Sequence, residues 1–139
     1  MICRPPLVAA QQAQILLYRL QGQEAIVARA SQRLDDARAT LAEVQSNRTK
    51  LTSNIKKYEE ASQTENSSTD RKQIEELLPQ LKARLAALEN EEQQWQTSEI
   101  EAEDQVRTER AKLGELQVQL DRLEKILEGS GQQSATNPH

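Results

Sequence analysis

The dominant feature of the sequence is a 4-3 spacing of apolar residues that repeats along most of the chain in two series. Thirteen of the sixteen positions in each series are apolar. A pattern sustained over this many heptads is typical of coiled-coil helices, whose apolar seam faces a partner helix. The first seam runs through Ala9, Ala13, Leu16, Leu20, Gln23, Val27, Ala30, Leu34, Ala37, Leu41, Val44, Arg48, Leu51, Ile55, Tyr58 and Ser62. The second runs through Ile74, Leu78, Leu81, Leu85, Leu88, Glu92, Trp95, Glu99, Ala102, Val106, Glu109, Leu113, Leu116, Leu120, Leu123 and Leu127.

A polar segment separates the two seams and predicts a turn. Residues 63–70 are rich in turn and cap formers, and Thr69 or Asp70 can cap a following helix. Residues 1–62 carry nine basic and six acidic residues, a net charge of +3, whereas 63–139 carry nine and sixteen, a net charge of −7. Because arms of opposite charge attract, the chain is expected to fold back on itself. The predicted fold is all-α, a long two-helix antiparallel coiled-coil hairpin.

The predicted organisation has five parts. An N-terminal extension (1–6) precedes coiled-coil helix 1 (7–62), the polar turn (63–70) and coiled-coil helix 2 (71–128), and Pro79 predicts a kink in helix 2. The tail, 129–139, follows Gly129 and is expected to be disordered. Setting Tyr58 opposite Ile74 makes facing residue numbers sum to about 132–133. This register places Gln23 opposite Glu109, and Arg29 and Arg33 beside the acidic residues near Glu99.

The residue inventory is poor in the groups that catalysis and metal binding require. The chain has one cysteine, Cys3, and one histidine, His139, at the last position. Its four glycines form no phosphate-binding loop, and a two-helix hairpin offers no walled pocket that could separate the pKa values of two carboxyl groups. We therefore expect no enzymatic activity, no cofactor and no metal site. Gly22 and Gly114 interrupt the two helices at similar heights, either as a flexible joint or as tolerated surface glycines.

Charge and hydropathy exclude two further classes. The net charge of −4 argues against general nucleic-acid binding, which needs a basic face. No apolar run approaches the roughly 20 residues of a transmembrane helix, and Leu7–Ala10 is too short for a secretory signal. A cytoplasmic location is the resulting expectation.

Acidic residues in and beside the second seam allow two interpretations. No Lys or Arg lies between Ala86 and Val106. Polar layers of this kind fix the register of long coiled coils. Alternatively, the residues form a secondary acidic belt that receives a basic partner segment. The belt consists of Glu92, Glu99, Glu101 and Glu103.

The two chain ends, which the hairpin brings together, carry apolar residues off the seam. These residues widen the apolar stripe beyond what one antiparallel helix can cover, so we expect this open end to bind a protein partner or a second copy in a dimer. The predicted partner-binding residues are Leu17, Tyr18, Ile26, Val118 and Ile126.

The expected function is that of a non-enzymatic coiled-coil spacer, adaptor or assembly factor. In length and two-helix layout, the chain is similar to the small coiled-coil stalk proteins of type III export systems. That architectural resemblance implies an alternative function, as a stalk or adaptor component of a secretion or membrane-associated apparatus.

Overall fold

The computed structural model describes residues 5–64 and 68–136, with side chains over 7–64 and 68–129. Helix α1 spans Pro5–Thr64 and helix α2 spans Ser68–Thr136. The helices pack antiparallel, since Gln23 near the start of α1 contacts Glu109 late in α2, while Glu59 near the end of α1 contacts Lys82 early in α2. The predicted fold class, an all-α two-helix hairpin, is confirmed.

Helix α1 begins slightly earlier than residue 7, where the sequence places its start. Pro5 and Pro6 belong to its first turn. Proline is favourable there, because its missing N–H would have no intrahelical acceptor and its fixed φ already suits a helix. The rest of the predicted extension, 1–4 with Cys3, lies outside the described residues.

The connection between the helices is shorter than the predicted turn. Helix α1 ends at Thr64 and α2 begins at Ser68, so only 65–67 of the predicted turn lie outside the described residues. Thr69 and Asp70 consequently lie within the first turn of α2 and do not occupy the capping position. The negative charge of Asp70 remains favourable near the positive end of the helix dipole.

Helix α2 continues to Thr136, beyond the end that the sequence places at residue 128. The expectation of a tail from 129 rested on Gly129 ending the helix in a left-handed conformation. No glycine of the described chain has positive φ, so Gly129 continues the helix at the usual small cost in propensity. Residues 137–139, with His139, lie outside the described residues.

The core is the pair of seams that the 4-3 spacing predicts. All seam positions are buried or half-buried except Tyr58, which is exposed. Pro79 lies inside α2. Within 5–64 and 68–136, neither helix contains a segment apolar enough to cross a bilayer.

The hairpin divides into two compact units. The terminal unit comprises Met1–Arg33 and Glu103–His139, and the loop unit comprises Leu34–Ala102. Each unit has its own buried seam residues. Those of the terminal unit are Ala9, Leu16, Gln23, Ala30, Val106 and Glu109, and those of the loop unit are Leu34, Ala37, Leu41, Val44 and Ile55.

Candidate interaction surface

All five predicted partner-binding residues lie in the terminal unit, and all are exposed. Tyr18 is the most exposed, at 81%, and Ile26 the least, at 36%. Exposed apolar side chains of this size are informative when they cluster, because isolated ones are common on any protein surface. Among the residues whose side chains are described, eight of the ten exposed large hydrophobic ones belong to the terminal unit. They are Leu7, Val8, Ile15, Leu17, Tyr18, Ile26, Val118 and Ile126.

Heptad positions show how these side chains are distributed around the helices. Leu16 in α1 and Leu123 in α2 occupy position d, and Leu20 and Leu120 occupy position a. Positions c and g then flank the seam on one side, b and e flank it on the other, and f points away. In an antiparallel pair the c and g positions of both helices share one edge, and the b and e positions share the other.

The five predicted residues therefore do not form one patch. Ile26 and Ile126 are at position g, on one edge. Leu17 is at position e, on the opposite edge. Tyr18 and Val118 are at position f, on the outward faces. The sequence correctly identifies the exposed residues, but the helix geometry distributes them over several faces of the terminal unit.

A groove of about 470 Å³ runs along the c/g edge between the two helices. Ile15 lies in its wall and is 54% exposed. Leu16 and Leu123 form apolar parts of the groove, and Gln12, Arg19, Gln119 and Arg122 complete the lining. Ile15 is absent from the predicted set, although its spacing of seven from Val8 places both at position c and could have indicated it.

A second concavity continues from Ile15 across the outside of α1. Ile15 and Arg19 line both depressions, and the outer one also includes Gln11, Gln14 and Tyr18. Tyr18 thus adjoins the groove even though it points away from the seam. The charged residues that line the two depressions are Arg19 and Arg122, both cationic.

A buried polar layer lies within the terminal unit, where the predicted register places Gln23 opposite Glu109. Gln23 Nε2 donates to Glu109 Oε2 at 2.6 Å and to the Glu109 backbone carbonyl at 3.0 Å. Gln105 Nε2 and Lys112 Nζ donate to Glu109 Oε1 at 2.9 and 3.3 Å. The predicted contact is confirmed, and the carboxylate is surrounded by donors on the part of the second seam, within the terminal unit, that is otherwise apolar.

These donors change the acidity of Glu109. The hydrogen bond from Gln23 is the largest influence, and together with those from Lys112 and Gln105 it holds the pKa of Glu109 below its ordinary value of 4.5, whereas desolvation acts in the opposite direction. Glu109 is therefore ionised at neutral pH. Its role is to match a specific group on α1, as polar seam residues do in other coiled coils.

Arginines of α1 pair with the two seam glutamates of the predicted acidic belt. In the loop unit, Arg48 Nε lies 2.5 Å from Glu92 Oε2, and Arg38 Nε lies 3.5 Å from Glu99 Oε1. The first approach is an ion pair without hydrogen-bond geometry. Internal pairing of both carboxylates favours the polar-layer interpretation at these two positions. Of the remaining belt residues, Glu101 is exposed and Glu103 belongs to the terminal unit.

The partner of Glu99 differs from the one that the register predicts. A sum of 132–133 places residues 33–34 opposite Glu99, whereas the ion pair is formed by Arg38. In the same unit, Glu59 Oε1 lies 3.2 Å from Lys82 Nζ, further along α2 than the register places it. Each side chain leans toward the N-terminus of its own helix, so two long side chains of an antiparallel pair meet although their backbones lie about one to two turns apart. A register taken from the seams alone therefore does not identify ion-pair partners.

Among the described residues, no three carboxylate, thiol or imidazole groups come close enough to hold a metal ion. No protein-family model, no curated protein and no solved structure matches this chain. The exposed surface of the terminal unit and the charges around it are therefore the features that bear on function.

Proposed function

We propose that this protein is a non-enzymatic coiled-coil structural and interaction protein, a spacer, adaptor or assembly factor. It docks or self-associates through the apolar residues of the terminal unit. One observation carries the proposal: of the ten exposed large hydrophobic side chains in the described part of the chain, eight belong to that unit, and both helices contribute to them. Covering such residues is the usual driving force of helix–helix association.

The packing of the described residues also supports association. No large side chain among them is fully buried. A third or fourth helix packed on the terminal unit would cover side chains that the two helices of one chain leave partly exposed.

The test replaces one apolar residue on each edge of the terminal unit with glutamate. We expect the double variant Leu17→Glu/Ile26→Glu to lose association while keeping its helical circular dichroism, because both side chains are exposed within one chain. Analytical ultracentrifugation over a range of concentrations measures the association. Ile100→Glu is the matched control, since Ile100 is also exposed, at 61%, but belongs to the loop unit.

Two results would contradict the proposal. One is an oligomer that persists unchanged in Leu17→Glu/Ile26→Glu. The other is a wild-type protein that remains monomeric at every concentration and retains no partner in affinity experiments. Equal losses in Ile100→Glu and in the double variant would indicate that the association does not use the terminal unit specifically.

A further inference from the structure

The two edges of the terminal unit carry opposite charge. The edge formed by positions c and g, which contains the groove beside Ile15, has five cationic residues and one anionic residue, a formal charge of +4. We call it the basic edge. Its charged residues are Arg19, Arg29, Arg33, Lys112, Arg122 and Glu115. Lys112 is already paired with Glu109, at 3.3 Å, which weakens its positive contribution to this edge.

The edge formed by positions b and e has the reverse balance. Five anionic and two cationic residues give a formal charge of −3, and we call it the acidic edge. Its charged residues are Glu24, Glu103, Asp121, Glu124, Glu128, Arg107 and Arg110. Arg107 is already paired with Asp104, at 3.3 Å, which weakens its positive contribution to this edge.

Apolar side chains accompany the charge on both edges. Val8, Ile15, Ile26 and Ile126 are exposed on the basic edge, and Leu7 and Leu17 on the acidic edge. Each edge therefore combines exposed aliphatic side chains with a net charge of one sign. On such a surface, burial of the aliphatic side chains supplies affinity, and charge complementary to that of the partner fixes the orientation.

We propose that the partner of each edge is the other edge of a second copy of this chain. This inference rests on the function proposed above and adds the partner and the two surfaces that meet. The basic edge of one terminal unit packs beside the acidic edge of the next. Ile15 and Ile26 then face Leu17 and Leu7 of the second copy, with arginines and glutamates flanking the aliphatic contact.

Charge distinguishes this contact from the other pairings that two copies could make. Basic against basic would oppose two surfaces of +4, and acidic against acidic two surfaces of −3, and like charges brought together across an interface are strongly unfavourable. The terminal unit as a whole has nine basic and eight acidic residues, a net charge of only +1. Two copies therefore do not repel one another through their terminal units, although the two edges of each unit differ strongly in charge.

A contact between unlike edges can be tested by complementation. Arg19→Glu/Arg122→Glu changes the basic edge from +4 to 0, and Glu24→Lys/Glu124→Lys changes the acidic edge from −3 to +1. All four side chains are exposed, so the fold should tolerate both changes. Alone, each variant should self-associate about tenfold or more weakly than wild type. Mixed in equal amounts, the variants should form a one-to-one heterodimer, because one retains the acidic edge and the other the basic edge.

Sedimentation velocity with one variant fluorescently labelled measures the self-association of each variant and the formation of the heterodimer. Circular dichroism confirms that each variant is helical. Lys125→Glu is the control, since it reverses a charge at the outward position f and should leave association unchanged. If Arg19→Glu/Arg122→Glu folds poorly, Arg29→Glu/Arg33→Glu tests the same edge.

The outcomes separate this inference from the proposed function. Variants that each keep wild-type association, or a mixture that forms no heterodimer, would overturn the edge contact. If the charge variants still associate but Leu17→Glu/Ile26→Glu does not, the terminal unit binds copies in another way and the proposed function stands. A wild-type protein that never self-associates overturns the edge contact, and the proposed function then depends on a different partner.

Discussion

At the scale of single residues, Glu109 is the most informative side chain of the terminal unit. It is buried among the apolar seam residues that the terminal unit contributes from α2, and it accepts hydrogen bonds from Gln23, Gln105 and Lys112. A buried carboxylate is tolerated only when its oxygens are matched by donors, because burial removes the water that would otherwise solvate it. The fold therefore benefits from the ionised form of Glu109.

This dependence predicts an acid-sensitive contribution to stability. Because the pKa of Glu109 is lowered in the folded state, its contribution is present above the ordinary value of 4.5 and is lost as pH falls through the folded pKa. Glu109→Gln should melt at a lower temperature than wild type at pH 7, and the difference should shrink as the pH is lowered to about 3. Thermal denaturation followed by circular dichroism measures it.

Glu76→Gln is the matched control for that comparison, since Glu76 is an exposed glutamate of the same helix and lies outside both edges of the terminal unit. Its melting temperature should follow that of wild type at every pH. If the difference in melting temperature between Glu109→Gln and wild type were constant with pH, the carboxylate would contribute through its shape and not through its charge.

At the scale of the helix, the two interior glycines weaken segments that the seams otherwise support. Gly22 and Gly114 have helical backbone, and a Cβ added at either position would meet no heavy atom within 4 Å. Their cost is that of glycine in any helix, through its larger conformational freedom in the unfolded chain.

Alanine at these sites should stabilise the hairpin. Gly22→Ala and Gly114→Ala should each raise the free energy of unfolding by about 0.5–1 kcal/mol, and the double variant should show the sum. Urea denaturation provides the measurement. Ala28→Gly, at an exposed position of α1, is the reverse control and should lower stability by a similar amount. Loss of association in the stabilised variants would favour a flexible joint over tolerated surface glycines.

The helices and their pairing could be predicted from the sequence because apolar residues that recur every 3.5 residues on average indicate helices that pack along a shared seam. Every buried residue of the described chain lies on a predicted seam, including Gln23 and Glu109. The helix ends could not be placed as well. Gly129 is compatible with a helix end and with a helix interior, and the choice depends on backbone conformation, which composition does not determine.

The interaction surface could be predicted only in part. Exposure of Leu17, Tyr18, Ile26, Val118 and Ile126 follows from their positions off the seam. Their distribution over two edges of opposite charge and the outward faces, and the groove beside Ile15, depend on how the two helices lie side by side. An ion pair such as Arg38 with Glu99 depends on how far a long side chain reaches, which seam spacing does not specify.

At the scale of the whole molecule, charge is distributed unequally between the two units. The loop unit has nine basic and fourteen acidic residues, a net charge of −5, whereas the terminal unit is at +1. Copies brought together through their loop units would repel one another, and copies brought together through their terminal units would not. The charge distribution thus favours association at the terminal unit, where the exposed aliphatic residues also lie.

Stability should consequently depend on protein concentration and on salt. A state that binds other copies only when folded is stabilised by mass action. The melting temperature at about 50 mM salt should therefore rise as protein concentration rises. At about 500 mM salt the rise should be smaller, because the edge charges are screened. Differential scanning fluorimetry measures both effects. In Arg19→Glu/Arg122→Glu the melting temperature should rise less with concentration than in wild type, and the same rise as in wild type would contradict the edge contact.

The hydrogen bond between Gln23 and Glu109 also affects how the two helices respond to a force that slides one along the other. Apolar seams repeat every seven residues, so a slip of one heptad would still bring aliphatic side chains together. The same slip would place the Glu109 carboxylate beside Leu16 or Ala30, neither of which has a side-chain donor. Within the terminal unit, sliding is therefore opposed most strongly at this polar layer, and force applied along the two helices should meet more resistance there than at the apolar layers beside it.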